Sequence, residues 1–224
     1  MRAFAIERTV AEACTDEELV KRVLAGEVAL YELLMRRYNQ RLFRVSVAIL
    51  KDSAEAEDAM QEAYVRAYQH LGQWEGRAKF STWLTRIAVH EALARAERRR
   101  RYLDVNTAED SEQPMSRASG PSPEEQVSER ELHKLLETVI LGIPQAYRTV
   151  LMMRDVEEMS TSEVAGILQL TEENVKVRLF RARAMARKRL FALTGATSVK
   201  AFEFGAARCD RVVSTVLNRI NSAG

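Results

Sequence analysis

Little in this sequence can hold a metal or form a covalent framework. Its two cysteines, Cys14 and Cys209, stand far apart with no CxxC spacing and no histidine nearby, so neither a zinc site nor a disulfide scaffold is expected. The three histidines, His70, His90 and His133, are scattered. No nucleophile–base pair and no phosphate-cradling glycine loop accompanies them, so an enzyme is disfavoured, and no catalytic residue, metal or cofactor is expected. Glycine and proline are scarce, at 9 and 4 of 224 residues, and alternating β-branched runs are missing, which argues against a sheet. The apolar stretches are short and broken by charge, so membrane insertion is not expected. Glu7, Glu12, Asp16, Glu17 and Glu18 crowd the first residues, unlike a secretory signal, and a reducing, cytoplasmic location is the expectation.

What is present is alanine, leucine, arginine and glutamate in helical patterns. The expected fold is all-α: two small helical domains joined by a flexible acidic linker, with a short C-terminal helix. Residues 1–103 form the first unit. Within it, Leu30, Leu33, Leu34, Tyr38, Leu42, Val45 and Ile49 make the stripe of a long helix. Ser53 is the expected cap of the next helix, Ala54 to Leu71, and Gly72 to Lys79 is a loop. Ser81 then opens a helix that runs into an arginine block. Residues 104–126 are acidic and rich in proline and serine, which is linker composition. Residues 127–193 form a second unit, and 194–224 a C-terminal extension whose Val212, Val213, Val216, Leu217 and Ile220 again have helical spacing.

Net charge is only +2, from 34 Lys and Arg against 32 Asp and Glu. Its distribution is more telling. Arg95 and Arg98 to Arg101 form one basic block, and Thr171 to Leu190, TEENVKVRLFRARAMARKRL, forms another. Two cationic surfaces separated by an acidic segment suit a polyanion. In the second block Val175, Leu179, Ala182 and Ala186 form a core stripe, while Arg181 and Lys188 point away from it. Ser160 to Glu163 has the form of a capping box, and Thr171 is a good N-cap. A short helix, a tight turn and a basic helix make a helix-turn-helix.

Two more stretches matter. Asp58, Gln61 and Glu62 fall at i, i+3 and i+4, one polar face suited to an arginine-rich partner. Trp74 to Leu93 reads WEGRAKFSTWLTRIAVHEAL. Together the three stretches resemble the bacterial extracytoplasmic-function sigma factors, of the sigma-70 family of RNA polymerase subunits, over roughly Asp16 to Leu193. Gly76, Arg77, Phe80, Thr82, Trp83, Leu84, Arg86, Ile87 and Ala88 match the family's promoter-melting segment. Pro144, Arg148, Val150, Glu157, Ser160, Glu163, Ala165, Val175, Lys176, Leu179, Arg181, Ala182 and Arg183 match its region four.

The resemblance implies a transcription initiation factor that binds core polymerase, recognises a promoter and helps melt it. By it, Asp58, Gln61 and Glu62 would face the polymerase β′ coiled coil. Trp74, Arg77, Lys79, Arg86, His90, Arg95 and Arg98 would serve minus-ten DNA, with the Gly72–Lys79 loop around a flipped base. Thr171, Glu173, Asn174, Lys176, Val177, Arg178 and Arg181 would lie at the minus-thirty-five element. Phe80 and Trp83 are expected in the core. His90 stands where the family usually has asparagine. Family members are often restrained by an anti-sigma factor, so one is a possible partner. The alternative is a helix-turn-helix regulator that binds duplex DNA without polymerase, but no receiver domain pattern accompanies the motif.

Overall fold

The structure, a computed structural model, describes residues 14–106 and 124–194. Most of the acidic linker and all of the C-terminal extension after Thr194 fall outside the described residues. Every regular element among the described residues is helical, as the composition predicts.

The first unit begins with α1, Asp16–Leu24, whose Thr15 and Glu18 form a reciprocal capping box. Leu19, Val20 and Val23 bury one face. A 3-10 turn at Val28–Leu30 leads into α2, Tyr31–Leu50. The helix starts about two residues later than the hydrophobic stripe suggests, because the tighter turn takes up its first residues. Lys51 ends α2 in the left-handed conformation. Asp52, not Ser53, caps α3, Ser53–Gln69, through the amide of Glu55. Aspartate is as good an N-cap as serine, and its extended backbone leaves Ser53 as the first helical residue.

Helix α3 buries only small residues over much of its length. Ala56, Ala59, Ala63 and Ala67 are all fully buried. Spaced by three and four, they let α2 and α4 approach its backbone closely. Helix α4, Phe80–Asn106, starts at Phe80 rather than Ser81 and carries the arginine block. Phe80 is buried against Tyr38, Trp74 and Trp83, with ring centroids 5.5–5.9 Å apart.

The second unit comprises α5, Glu124–Leu141, α6, Gln145–Leu151, α7, Thr161–Leu168, and α8, Glu172–Thr194. Helix α5 starts three residues before the expected boundary. Pro144 introduces α6, where its missing N–H costs nothing. A π-helical segment, Met152–Val156, connects α6 to the loop before α7. Ser160 and Glu163 form the expected capping box, and the Thr171 hydroxyl accepts from the amide of Asn174 at the start of α8. Val175, Leu179 and Ala182 are buried as the stripe requires.

The two units share a core. Val45, Ala48 and Ile49 of α2 and Val89 and Ala92 of α4 join one apolar cluster with Ile143, Val150, Met153, Val164, Val175 and Ala182. The Arg148 side chain sits in this seam, 1% exposed. Its guanidinium donates to the carbonyls of Ala48 and Ile49 in the last turn of α2, and to Leu141 and Ile143 in its own unit. The end of a helix presents unpaired carbonyls and the negative pole of its dipole, so a cation is favoured there even without a carboxylate. Arg99 completes the cap through the Leu50 carbonyl at 3.0 Å.

Candidate polymerase and promoter interfaces

On α3, Asp58 and Gln61 are exposed and Glu62 is half-buried, on one face as the spacing requires. Glu62 accepts from Arg66 at 3.0 Å. Val65, 52% exposed, extends this face at i+7 from Asp58. Its outward position follows from the alanine stripe, which fixes which side of α3 is inside.

Behind this face lies a buried carboxylate. Glu91 of α4 is almost fully enclosed and paired with Arg66 and Arg95, each at 3.1 Å. Arg95 also donates to the Asp58 carbonyl, at 3.4 Å. Glu91 therefore ties the α3 face to the arginine-bearing side of α4, a role for which its position in the sequence gave no signal.

In the loop before α4, Arg77 and Lys79 are exposed, and Gly76 takes the positive φ that lets the chain turn. Trp74 is partly buried. Its indole N–H donates to the Ala78 carbonyl at 3.1 Å and its ring meets Phe80 edge-on. Trp74 thus staples the loop to the core. Arg98 is exposed and Arg95 half-buried on the helix that follows.

Arg86 and His90 are already engaged by the second unit. Arg86 donates to the Gly166 carbonyl at 3.1 Å, and the His90 Nε2 lies 2.9 Å from the Ile167 carbonyl. A carbonyl only accepts, so Nε2 carries the proton in this contact. One turn earlier, the Thr82 hydroxyl donates to Glu163 at 2.6 Å. Burial disfavours the Glu163 carboxylate, but the Thr82 hydroxyl, Ser160 and Lys79 outweigh it and hold the carboxyl below its ordinary value.

On α8, Glu173, Asn174, Lys176 and Val177 face solvent and Arg178 is partly exposed. Thr171 is exposed but spends its hydroxyl on the helix cap. Arg181 reaches the Tyr147 hydroxyl at 3.5 Å, while Arg183 makes a bidentate pair with Asp155 at 2.7 and 2.8 Å. Phe180 is 76% exposed, one turn beyond Lys176 and Val177. It lies off the core stripe of α8, on the side that carries Lys176 and Val177.

Comparison with known proteins agrees with this geometry. The family model described as Sigma-70 region 2 matches residues 34–102, and that described as Sigma-70, region 4, matches 133–185. The RNA polymerase sigma-H factor of Pseudomonas aeruginosa is 34% identical over 78% of this chain and 93% of its own length. The ECF RNA polymerase sigma factor SigW of Bacillus subtilis is 32% identical over 76% and 94%. The sigma factor RpoE of Bartonella quintana, solved in complex with the anti-sigma factor NepR, shares the fold with a TM-score of 0.57 at 17% identity, over 75% of this chain and 98% of that one. CnrH, solved with the cytosolic domain of CnrY, gives 0.54 at 21% identity over 82% and 99%. No helix among the described residues is long and apolar enough to cross a membrane. With both sigma regions present in order, and relatives matched over nearly their whole length, the chain belongs to the extracytoplasmic-function sigma factors and directs RNA polymerase to promoters.

Proposed function

We propose a division of labour among the three surfaces. The α3 face of Asp58, Gln61, Glu62 and Val65 docks core polymerase, with acids for arginines and an apolar residue to dehydrate the contact. The loop at Arg77 and Lys79, with Arg86, His90, Arg95 and Arg98 along α4, holds the minus-ten strand through its phosphates. The start of α8 reads the minus-thirty-five element in the major groove, where Lys176 and Arg178 suit guanine and Asn174 suits adenine. Residues 1–103 and 127–193 are the two functional units, joined through 104–126. The chain carries no reaction of its own; the polymerase supplies the chemistry. The neighbour RpoE, solved with the anti-sigma factor NepR, supports such a protein as a further partner.

The observation that carries this reading is the split on α8. Val175, Leu179 and Ala182 are buried while Glu173, Asn174, Lys176 and Val177 between them are exposed. A helix anchored by one face presents the other rigidly, which base-edge readout needs. The test is reconstitution with core polymerase on a candidate promoter. Lys176→Ala and Arg178→Ala should each weaken recognition of a duplex minus-thirty-five element by about 1–3 kcal/mol where the residue makes a bidentate contact. Asp58→Arg should reduce polymerase binding and leave the DNA contacts of the isolated chain intact. Tight duplex binding without polymerase, and no open complex with it, would overturn the assignment.

A further inference from the structure

The side of α2 next to Glu157 of the second unit carries a cationic cleft that the proposed surfaces leave unused. Arg41 and Arg44, three residues apart, point to the same side of α2 and share a single carboxylate from the second unit. Arg41 meets Glu157 Oε2 at 3.2 Å and the Glu157 carbonyl at 3.0 Å, and Arg44 meets Oε1 at 3.4 Å. Glu157 is 7% exposed. The cleft beside them, about 390 Å³, runs from Tyr38 to Ser81 at the start of α4. Ser81 lies two residues from Lys79, so the cleft continues directly from the proposed minus-ten loop.

We propose that Arg41 and Arg44 are a further phosphate site for the melted DNA strand, kept occupied in the closed form by Glu157. This rests on the reading of Arg86 and His90 as strand contacts. Along this seam, nitrogen donors of the first unit meet oxygens of the second. Arg41 and Arg44 meet a carboxylate, and Arg86 and His90 meet the last carbonyls of α7. These oxygens stand where phosphate oxygens would otherwise be bound, at charge-assisted hydrogen-bonding distance. Two guanidiniums on one carboxylate leave an excess positive charge, which a strand with one phosphate per nucleotide would neutralise more fully. His90 fits the same device. Its ring carries Nε2 to the Ile167 carbonyl, a longer reach than the asparagine usual in the family provides. The same face cannot hold the second unit and DNA together, so the closed chain binds DNA weakly until the units part.

The experiment uses the full chain without polymerase and a fluorescein-labelled single-stranded oligonucleotide of mixed sequence, followed by anisotropy. Glu157→Gln keeps the shape and removes the charge. It should increase the radius of gyration in solution scattering and tighten binding; raising the open fraction from about a tenth to about a half gives a five-fold gain. In that background, Arg41→Gln with Arg44→Gln should reverse the gain and lower the slope of log affinity against log salt by about 1.4, or ~0.7 per lost contact. If Glu157→Gln loses helical signal, Thr82→Val makes the same comparison, since it removes the bond to Glu163 without touching a buried charge.

Unchanged dimensions and unchanged binding overturn the masking. An opened chain whose affinity and salt slope ignore Arg41 and Arg44 overturns the phosphate site. Arg86→Ala in the reconstituted holoenzyme tests the underlying reading apart from both. Loss of promoter opening there, with Arg41 and Arg44 inert, sinks this inference alone. Normal opening with Arg86→Ala sinks the reading on which it rests.

Discussion

Replacing Arg148 with methionine should be among the most damaging single changes in the chain. The guanidinium is buried and donates to four carbonyls, two of them across the seam. Its burial has a visible cost: desolvation pushes its pKa down to about 10, which corresponds to roughly 3 kcal/mol of lost hydration. Against that stand hydrogen bonds from a charged donor, each contributing about 1.5–3 kcal/mol. Methionine fills the volume and removes the burial cost, but it leaves the carbonyls of Ala48, Ile49, Leu141 and Ile143 without this donor. Four such bonds less that cost give about 3–9 kcal/mol, and the long 3.4 Å bond to Ile49 puts the expected destabilisation in the lower part, about 3–5 kcal/mol. For a chain of this size that lowers the melting temperature by about 6–20 °C, at 2–4 °C per kcal/mol. Arg148→Lys should cost less than Arg148→Met but still be destabilising, because one ammonium cannot span carbonyls on both units. Thermal unfolding followed by circular dichroism measures both. A fall of less than 3 °C for Arg148→Met would mean that water replaces the guanidinium at these carbonyls and that the seam does not depend on it.

Glu158 adopts φ 54° in the turn before α7, so Glu158→Gly should relieve left-handed strain and raise stability by about 0.5–1 kcal/mol, read as a higher melting temperature. Ala63 is fully buried in the stripe that α3 turns to its neighbours, and Ala63→Leu should destabilise by at least about 1–3 kcal/mol through overpacking, measured by urea unfolding. Glu163 has a depressed carboxyl pKa in the folded chain. Its contribution is therefore complete above the unfolded-state value and lost as pH falls through the folded one. Acid titration of thermal stability should show this loss diminished in Glu163→Gln. Val65→Asp should weaken core polymerase binding without changing the melting temperature, because the side chain is 52% exposed.

Local signals in this chain are strong, and the fold was correspondingly legible. Thr15, Ser160 and Thr171 cap the helices that their side chains announce. The stripe of Val175, Leu179 and Ala182 faces inward as its period requires. The misplaced boundaries have local causes. Asp52 competes with Ser53 as a cap, and the 3-10 turn at Val28–Leu30 shares the apolar pattern of the helix it precedes. Faces written as spacing on one helix were readable, as with Asp58, Gln61 and Glu62, which share one side of α3. What periodicity could not supply was pairing across distance. Glu157 and Arg41 are 116 residues apart, and nothing in either segment's pattern names the other. Arg148 read as one matched position in region four, yet its bonds to α2 carbonyls depend on how the units dock.

That docking decides how Arg148 should be understood. Removing its side chain and parting the units are different perturbations with different costs. Methionine at this position leaves the α2 carbonyls enclosed and unpaired. Parting the units returns those carbonyls and the guanidinium to water, which replaces the lost bonds and recovers the hydration of the charge. The polar half of the seam is therefore close to neutral on opening, however costly its mutation. What resists opening is the apolar half, where Val45, Ala48 and Ile49 meet residues such as Ile143 and Val150, at about 25 cal/mol per Å² exposed. A seam built this way can be specific in register through its ionic contacts and still separable. On the proposed reading, a DNA strand that claims Arg86 and His90 needs to offset chiefly the apolar contribution.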